Sequence, residues 1–370
     1  MKRIKPIFAT IIVFILSFSC ISTVYALNET QATEVIIDIP YEFPITPDDE
    51  QWEEFDTKQD RLDICQIPDE ILHSLSTKAL LETVLQYPYL TDYYAFNDYK
   101  DAAETFMNDF NGFKELYARE DLTEVLLDAY QKVSVADDAE FIDSEEDSIN
   151  DFFAVSNIEF LIGYDQLIND DYTAEEAERF DNLLEKKMKS RSESDLYSEN
   201  SEIYLNFISK DNSSVPYAST TTTVKTPKGT KVTVSKTTSD LSSAEKDRIN
   251  KRTDKLYPNA TRIATATQKY NCHSYAWYQQ STNNPYWMND PSAYWKDGSY
   301  KKFPDIRPRE GFKAYYYNGN HSAIVYKIKV ISGAQTFWYR SKWGTAGLYE
   351  HSLYDCPYST GVRYYCKSAS

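Results

Sequence analysis

Charge along this chain is segregated rather than mixed. Residues 1–215 carry 16 Lys and Arg against 47 Asp and Glu, a balance of −31, whereas residues 216–370 carry 23 against 10, a balance of +13. A reversal of that size marks a boundary better than any single residue does, and it predicts an acidic and a basic domain. Tethered together, the two would attract. The acidic domain is then expected to dock over a basic cleft in a salt-sensitive way, or simply to keep the protein soluble.

The N-terminus reads as an export signal over residues 1–26. A basic Met1-Lys2-Arg3-Ile4-Lys5 precedes the apolar run from Ile7 to Phe18, and Val24-Tyr25-Ala26 ends in the small residue a signal peptidase prefers. Two alternatives stay open: a lipid on Cys20, against which the bulk of Phe18 counts, and retention of the stretch as an uncleaved anchor. The expected location is secreted or extracellular, with association to the cell wall. Membrane contact is expected only through the transient signal segment.

Residues 27–60 form an extended arm or linker around Val35-Ile36-Ile37-Asp38-Ile39 and the Pro- and Asp-rich Pro44 to Glu50. Residues 61–205 read as an acidic helical domain. Leu80, Leu81, Val84 and Leu85 recur at helical spacing, as do Phe106, Phe110 and Phe113, and then Leu122, Val125, Leu126 and Tyr130. Thr173 with Glu176 makes a capping box ahead of Ala177, Phe180, Leu183 and Leu184. The acidic runs Asp137-Asp138 and Glu145-Glu146-Asp147 lack the spacing of a calcium loop and read as solvated charge. Residues 206–220 form a linker to a second domain, 221–370. There, β-branched runs flank Pro227-Lys228-Gly229 as a hairpin, and Ser242 with Glu245 caps a helix that Pro258 ends. The fold class expected is α+β.

Four cysteines follow the signal: Cys65, Cys272, Cys356 and Cys366. This is far from a disulfide scaffold, although turn residues between Cys356 and Cys366 allow a local bridge; the alternative is two buried thiols. Cys272 stands in Tyr270-Asn271-Cys272-His273-Ser274, read as the first turn of a helix. Unpaired N–H groups there favour thiolate and can receive an oxyanion. A nucleophilic thiol needs an imidazole from elsewhere in the chain. His321 opens the strand-like run His321-Ser322-Ala323-Ile324-Val325-Tyr326 and suits that role.

A cysteine at a helix start with a histidine at a strand start some fifty residues on resembles the papain-like cell-wall amidohydrolases of the NlpC and CHAP types. Pro308 to Tyr317 resembles that family's turn and strand before the histidine, with Phe312 where an Asp is usual. Ser341-Lys342-Trp343-Gly344 is similar to a Ser-Lys-x-Gly run in uncharacterised papain-like proteins. The likeness covers residues 268–352. It implies a papain-like α+β domain and acyl transfer by Cys272 and His321 on a peptide or amide bond of peptidoglycan, without a cofactor. The family's third group is missing from its usual place, since position 333 is Gly. Ser341 is the candidate partner of His321, and His351 is its rival.

Lys342 is expected to face an anionic part of the substrate, with Trp277 and Trp343 as aromatic surface for it. A metal site is disfavoured: the chain has four His, and the neighbours Cys272 and His273 point apart on a helix. Nucleic acid is a poor partner for an exported chain whose basic residues are scattered. Two other functions fit the same residues. One is a cysteine peptidase or transamidase acting on secreted peptides. The other is a non-catalytic envelope protein that binds wall polymers through a papain-like shell.

Overall fold

The computed structural model describes residues 36–136, 147–169, 172–198, 219–304, 307–317, 320–331, 334–358 and 361–368. The export signal, the first part of the arm, most of the 206–220 linker, Asp137-Asp138 and Glu145-Glu146 lie outside the described residues.

Helix starts are set by local chemistry. Thr57, Thr173 and Ser242 each accept a backbone N–H from three residues on, and Asp60, Glu176 and Glu245 return the bond. Each such reciprocal pair satisfies two donors that a helix end leaves open. The helices are α1 (Glu50–Glu53), α2 (Lys58–Ile64), α3 (Asp69–Leu72), α4 (Thr77–Leu85), α5 (Tyr99–Asp109), α6 (Asn111–Leu116), α7 (Leu122–Lys132), α8 (Asp147–Ile168) and α9 (Ala174–Ser192), with a 3₁₀ turn at Leu90–Ala95. The phenylalanine stripe is broken in two. Phe110 is extended (φ −136°, ψ 119°) and separates α5 from α6, so its ring stacks on Tyr87 at 4.1 Å instead of continuing one helical face.

The hairpin pairs β1 (Ser219–Lys225) with β2 (Lys231–Thr237), and Gly229 takes the positive φ of 91° that the turn requires. After α10 (Ser243–Leu256) come β3 (Thr261–Ala264), a short α11 (Ala293–Lys296), β4 (Tyr300–Lys302), β5 (Lys313–Tyr316), β6 (His321–Ile331), β7 (Ala334–Lys342), β8 (Leu348–Ser352) and β9 (Val362–Lys367). These strands make one antiparallel sheet in the order β3-β8-β7-β6-β5-β9-β4. The chain is an α+β protein: helices first, then this sheet.

The charge boundary near residue 215 does not separate two cores. Ile36 to Ser370 forms one unit, and one apolar cluster runs from Phe43, Trp52 and Leu80 of the helical half to Tyr257, Trp343 and Tyr358 of the sheet half. Trp52 donates its indole N–H to the Leu256 carbonyl at 3.3 Å, and Arg61 meets Asp355 at 2.7 Å with both side chains buried. The halves therefore join through aromatic packing and buried polar bonds, rather than through the surface charge from which docking was expected. Cys356 and Cys366 are both free thiols, the first buried and the second half-exposed.

Candidate functional site

Asn271 builds the turn that carries Cys272. Its Oδ1 accepts the N–H groups of Ser274 and Met288, both at 3.1 Å, and its Nδ2 donates to the Met288 carbonyl at 2.7 Å. Cys272 and His273 are helical, but the turn widens at once into a π segment, Ser274–Tyr278, and ends. This is too short to supply the helix end expected to activate the thiol. The sulfur instead accepts the side-chain N–H of Asn97 at 3.0 Å. Burial pushes the Cys272 thiol up to about 12, outweighing the donors from Asn97 and from the backbone of Ser322 and His273. In this conformation Cys272 is a neutral thiol, which corrects the expected thiolate.

His321 opens β6, in register with Tyr316 of β5, while the next residue, Ser322, pairs with Tyr315. Neighbours on a strand face opposite ways, so the two side chains serve different surroundings. Ser322 Oγ accepts the Trp277 indole N–H at 2.9 Å and donates to His273 Nδ1 at 2.8 Å. His273 Nε2 then donates to Asn320 Oδ1 at 3.1 Å, and Asn320 Nδ2 to Asp101 Oδ2 at 3.2 Å. Every donor in that chain finds an acceptor. Burial holds His273 down at about 4 and raises Asp101 to about 6.

His321 has no such support. Its ring lies under Tyr358 at 3.5 Å, nearly parallel, with Tyr316 edge-on at 5.1 Å, and it is fully buried. Neither ring nitrogen finds a hydrogen-bond partner among the described residues. Burial, and then the nearby His351 and His273, hold its pKa well below the ordinary value.

The expected third group is placed elsewhere. Ser341 Oγ bonds His351 Nε2 at 2.8 Å and accepts the Trp343 indole N–H at 3.0 Å. His351 Nδ1 donates to the Ser352 carbonyl at 2.7 Å, so its Nε2 is the bare nitrogen and Ser341 is the donor to it. The two rivals thus satisfy each other, and neither orients His321. Nor do the expected substrate-binding residues face outward. Lys342 is fully buried at the end of β7, with its ammonium on the carbonyls of Thr267 at 2.9 Å and Gly344 at 2.6 Å. Burial draws Lys342 down to about 7. Trp277 is buried on Ser322, and Trp343 stacks on Tyr349 at 4.1 Å inside the core. All three are buried and hydrogen-bonded or stacked within the protein, Lys342 and Trp343 at the end of β7 and Trp277 in the π segment.

A pH prediction follows from His351, which burial holds at about 4 against an ordinary value of 6.5. Its folded pKa lies below the unfolded one. Between pH about 6.5 and about 4 the unfolded chain therefore takes a proton that the folded chain refuses, and stability falls as pH drops through that window. His351→Gln removes this group. By urea unfolding, its deficit relative to wild type at pH 7 is expected to shrink by about 3 kcal/mol at pH 4. An equal deficit at both pH values would contradict the burial argument.

Residues that sequence reasoning missed complete the site. Asn97, from the loop between the 3₁₀ turn and α5, donates to Cys272 and to the Asn320 carbonyl, the latter at 2.8 Å. Asn320 adopts the left-handed conformation (φ 43°), which points its carbonyl and side chain inward together. Tyr358 covers His321. An asparagine beside an N-cap aspartate reads as ordinary turn chemistry, so nothing local marks Asn97. Fold and site together define an α+β protein in which Asn97 seals the buried Cys272 thiol and Tyr358 covers His321. Comparison with known proteins adds no family to that: no family model, no curated protein and no solved structure matches the chain.

Proposed function

We propose that the chain is a cysteine amidohydrolase or peptidase, exported to the cell exterior, that cleaves peptide or amide bonds of peptidoglycan with Cys272 and His321 as its reacting pair. One observation carries this reading. His321 is a buried imidazole whose two nitrogens find no partner among the described residues. Each unmet polar atom costs about 1–3 kcal/mol, which a phenyl ring in the same space would avoid. Such a cost is reasonable for a group that must hold a proton at another stage. Ser322, the next residue, lies near enough for its backbone N–H to oppose the rise in the Cys272 pKa, so the strand that carries His321 also borders the thiol.

In the reaction, His321 takes the thiol proton as Cys272 Sγ bonds to the amide carbonyl carbon. Collapse breaks the C–N bond, His321 returns the proton to the leaving amine, and water cleaves the thioester to a carboxylic acid. The backbone N–H groups next to the thiol, those of Ser322 and His273, would receive the developing oxyanion in this reading. Peptidoglycan as substrate rests on the resemblance of residues 268–352 to the NlpC and CHAP types.

A second reading, a non-catalytic wall-binding protein, draws on the sealed thiol at about 12. Incubation of purified peptidoglycan separates the two. Asn97→Ala is expected to release new amino termini and wild type fewer, whereas Cys272→Ala and His321→Ala, each combined with Asn97→Ala, fall to background. Equal release by Asn97→Ala with and without Cys272→Ala, or no release by Asn97→Ala, would overturn the hydrolase reading.

A further inference from the structure

In this conformation an amide could not reach Cys272. The sulfur, the His321 ring and Ser322 are all fully buried, and Asn97 is 6% exposed. Both reacting groups are covered by the same short stretch of the helical half. Asn97 Nδ2 caps the sulfur at 3.0 Å and is itself tied to the Asn320 carbonyl at 2.8 Å. Two residues earlier, the Ala95 carbonyl accepts the Tyr358 hydroxyl, and that bond pins the ring lying on His321. Between them, the Phe96 ring packs against Tyr358 at 5.4 Å.

The strip is seated on a matching surface. The Tyr94 carbonyl accepts the N–H groups of Thr345 at 2.7 Å and Ala346 at 3.1 Å. Gly344, at φ 43°, lets the two backbones touch: a Cβ there would land on the carbonyl oxygens of Tyr94 and Phe96. Asn97 Oδ1 is buried and accepts nothing among the described residues. The amide therefore spends its donors on the thiol and the Asn320 carbonyl while its acceptor goes unmet, which is a cost of holding it there.

We propose that Ala95-Phe96-Asn97 is a latch built into the fold, which holds Cys272 and His321 out of reach until it is displaced. The inference rests on the reading of those two residues as the reacting pair. It differs from masking by surface charge, because the contacts are an amide on a sulfur and a carbonyl on a phenol, both away from salt.

Alkylation by iodoacetamide, located by peptide mapping on the full chain, tests it at pH 8. Asn97→Ala is expected to raise the rate at Cys272 at least tenfold, with Cys65 and Cys356 staying slow as buried internal controls. Tyr358→Phe keeps the ring, removes the tie to Ala95, and is expected to speed Cys272 severalfold on its own. A Cys272 rate unchanged in both variants overturns the latch. If Asn97→Ala accelerates all three cysteines together, the variant has loosened as a whole and Tyr358→Phe decides: acceleration at Cys272 alone supports the latch, and no acceleration overturns it. Faster alkylation without any release from peptidoglycan leaves the latch standing and removes the hydrolase reading instead.

Discussion

Residues 216–370 produced alone are expected to fail to fold, despite containing the whole seven-stranded sheet together with Cys272 and His321. The sheet half depends on the helical half for its core. Tyr89 sits between Trp52 at 5.6 Å and Tyr257 at 5.8 Å, and Tyr257 in turn meets Trp343 at 5.0 Å. Removing the helices would expose much of Tyr257, Trp343 and Tyr358, which are 0%, 0% and 6% exposed in the intact chain. An aromatic side chain buries roughly 150–250 Å², worth about 4–6 kcal/mol at ~25 cal/mol per Å². Even half of that, summed over three rings, rivals the roughly 5–15 kcal/mol that holds a domain folded. The polar seam is lost as well, because Lys58, Arg61 and Asp92 supply partners to Pro357, Asp355 and Tyr257. Circular dichroism and denaturant melts of the fragment are expected to show no cooperative transition, and co-production with residues 27–215 to restore one. A soluble fragment with a sharp unfolding transition would contradict the shared core.

What the sequence made legible follows from how local each signal is. Thr173 with Glu176, Ser242 with Glu245, and the Pro227-Lys228-Gly229 turn declare themselves within four or five residues, and the structure has all three. His321 at a strand start was also legible, because β-branched and aromatic residues follow it directly. Phe110 was not, since its helical spacing is intact and only the stacking partner Tyr87 shows why the helix breaks there. The site was half legible for the same reason. Cys272 and His321 have residue types that imply chemistry, whereas Asn97 meets Cys272 across 175 residues of chain. Ser341 was expected to orient His321 and Lys342 to meet an anionic substrate, and nothing local in the sequence shows the His351 partner or the burial that place them otherwise. At that end of β7 both residues are buried, so a lysine that looks like a substrate contact is a structural cation on two carbonyls.

Asp355→Ala is expected to cost about 3–5 kcal/mol of stability, the range for breaking a buried ion pair by removing one partner. Arg61 enters the interface from α2 and spends three donors there: NH1 on Asp355 at 2.7 Å, Nε on the Trp52 carbonyl at 3.1 Å, and NH2 on the Phe55 carbonyl at 2.7 Å. Both charged groups are within 1% of full burial. Without the carboxylate, the guanidinium keeps two carbonyl partners but loses the one ion-pair partner it has among the described residues, in a buried place. Burial raises the Asp355 pKa and Arg61 opposes that rise, so each charge depends on the other here. The double variant Arg61→Met with Asp355→Leu removes both charges and refills the space. Such exchanges are often neutral, so it is expected to be more stable than Asp355→Ala by at least 2 kcal/mol. Urea unfolding of the full chain, arranged as a double-mutant cycle, measures the coupling directly. Additive losses from the two single variants would mean that the residues act separately and that the halves are held by packing alone. A coupling of several kcal/mol would identify the pair as a polar clasp between the helical and sheet halves, and its rupture would be expected to loosen the strip over Cys272 from a distance.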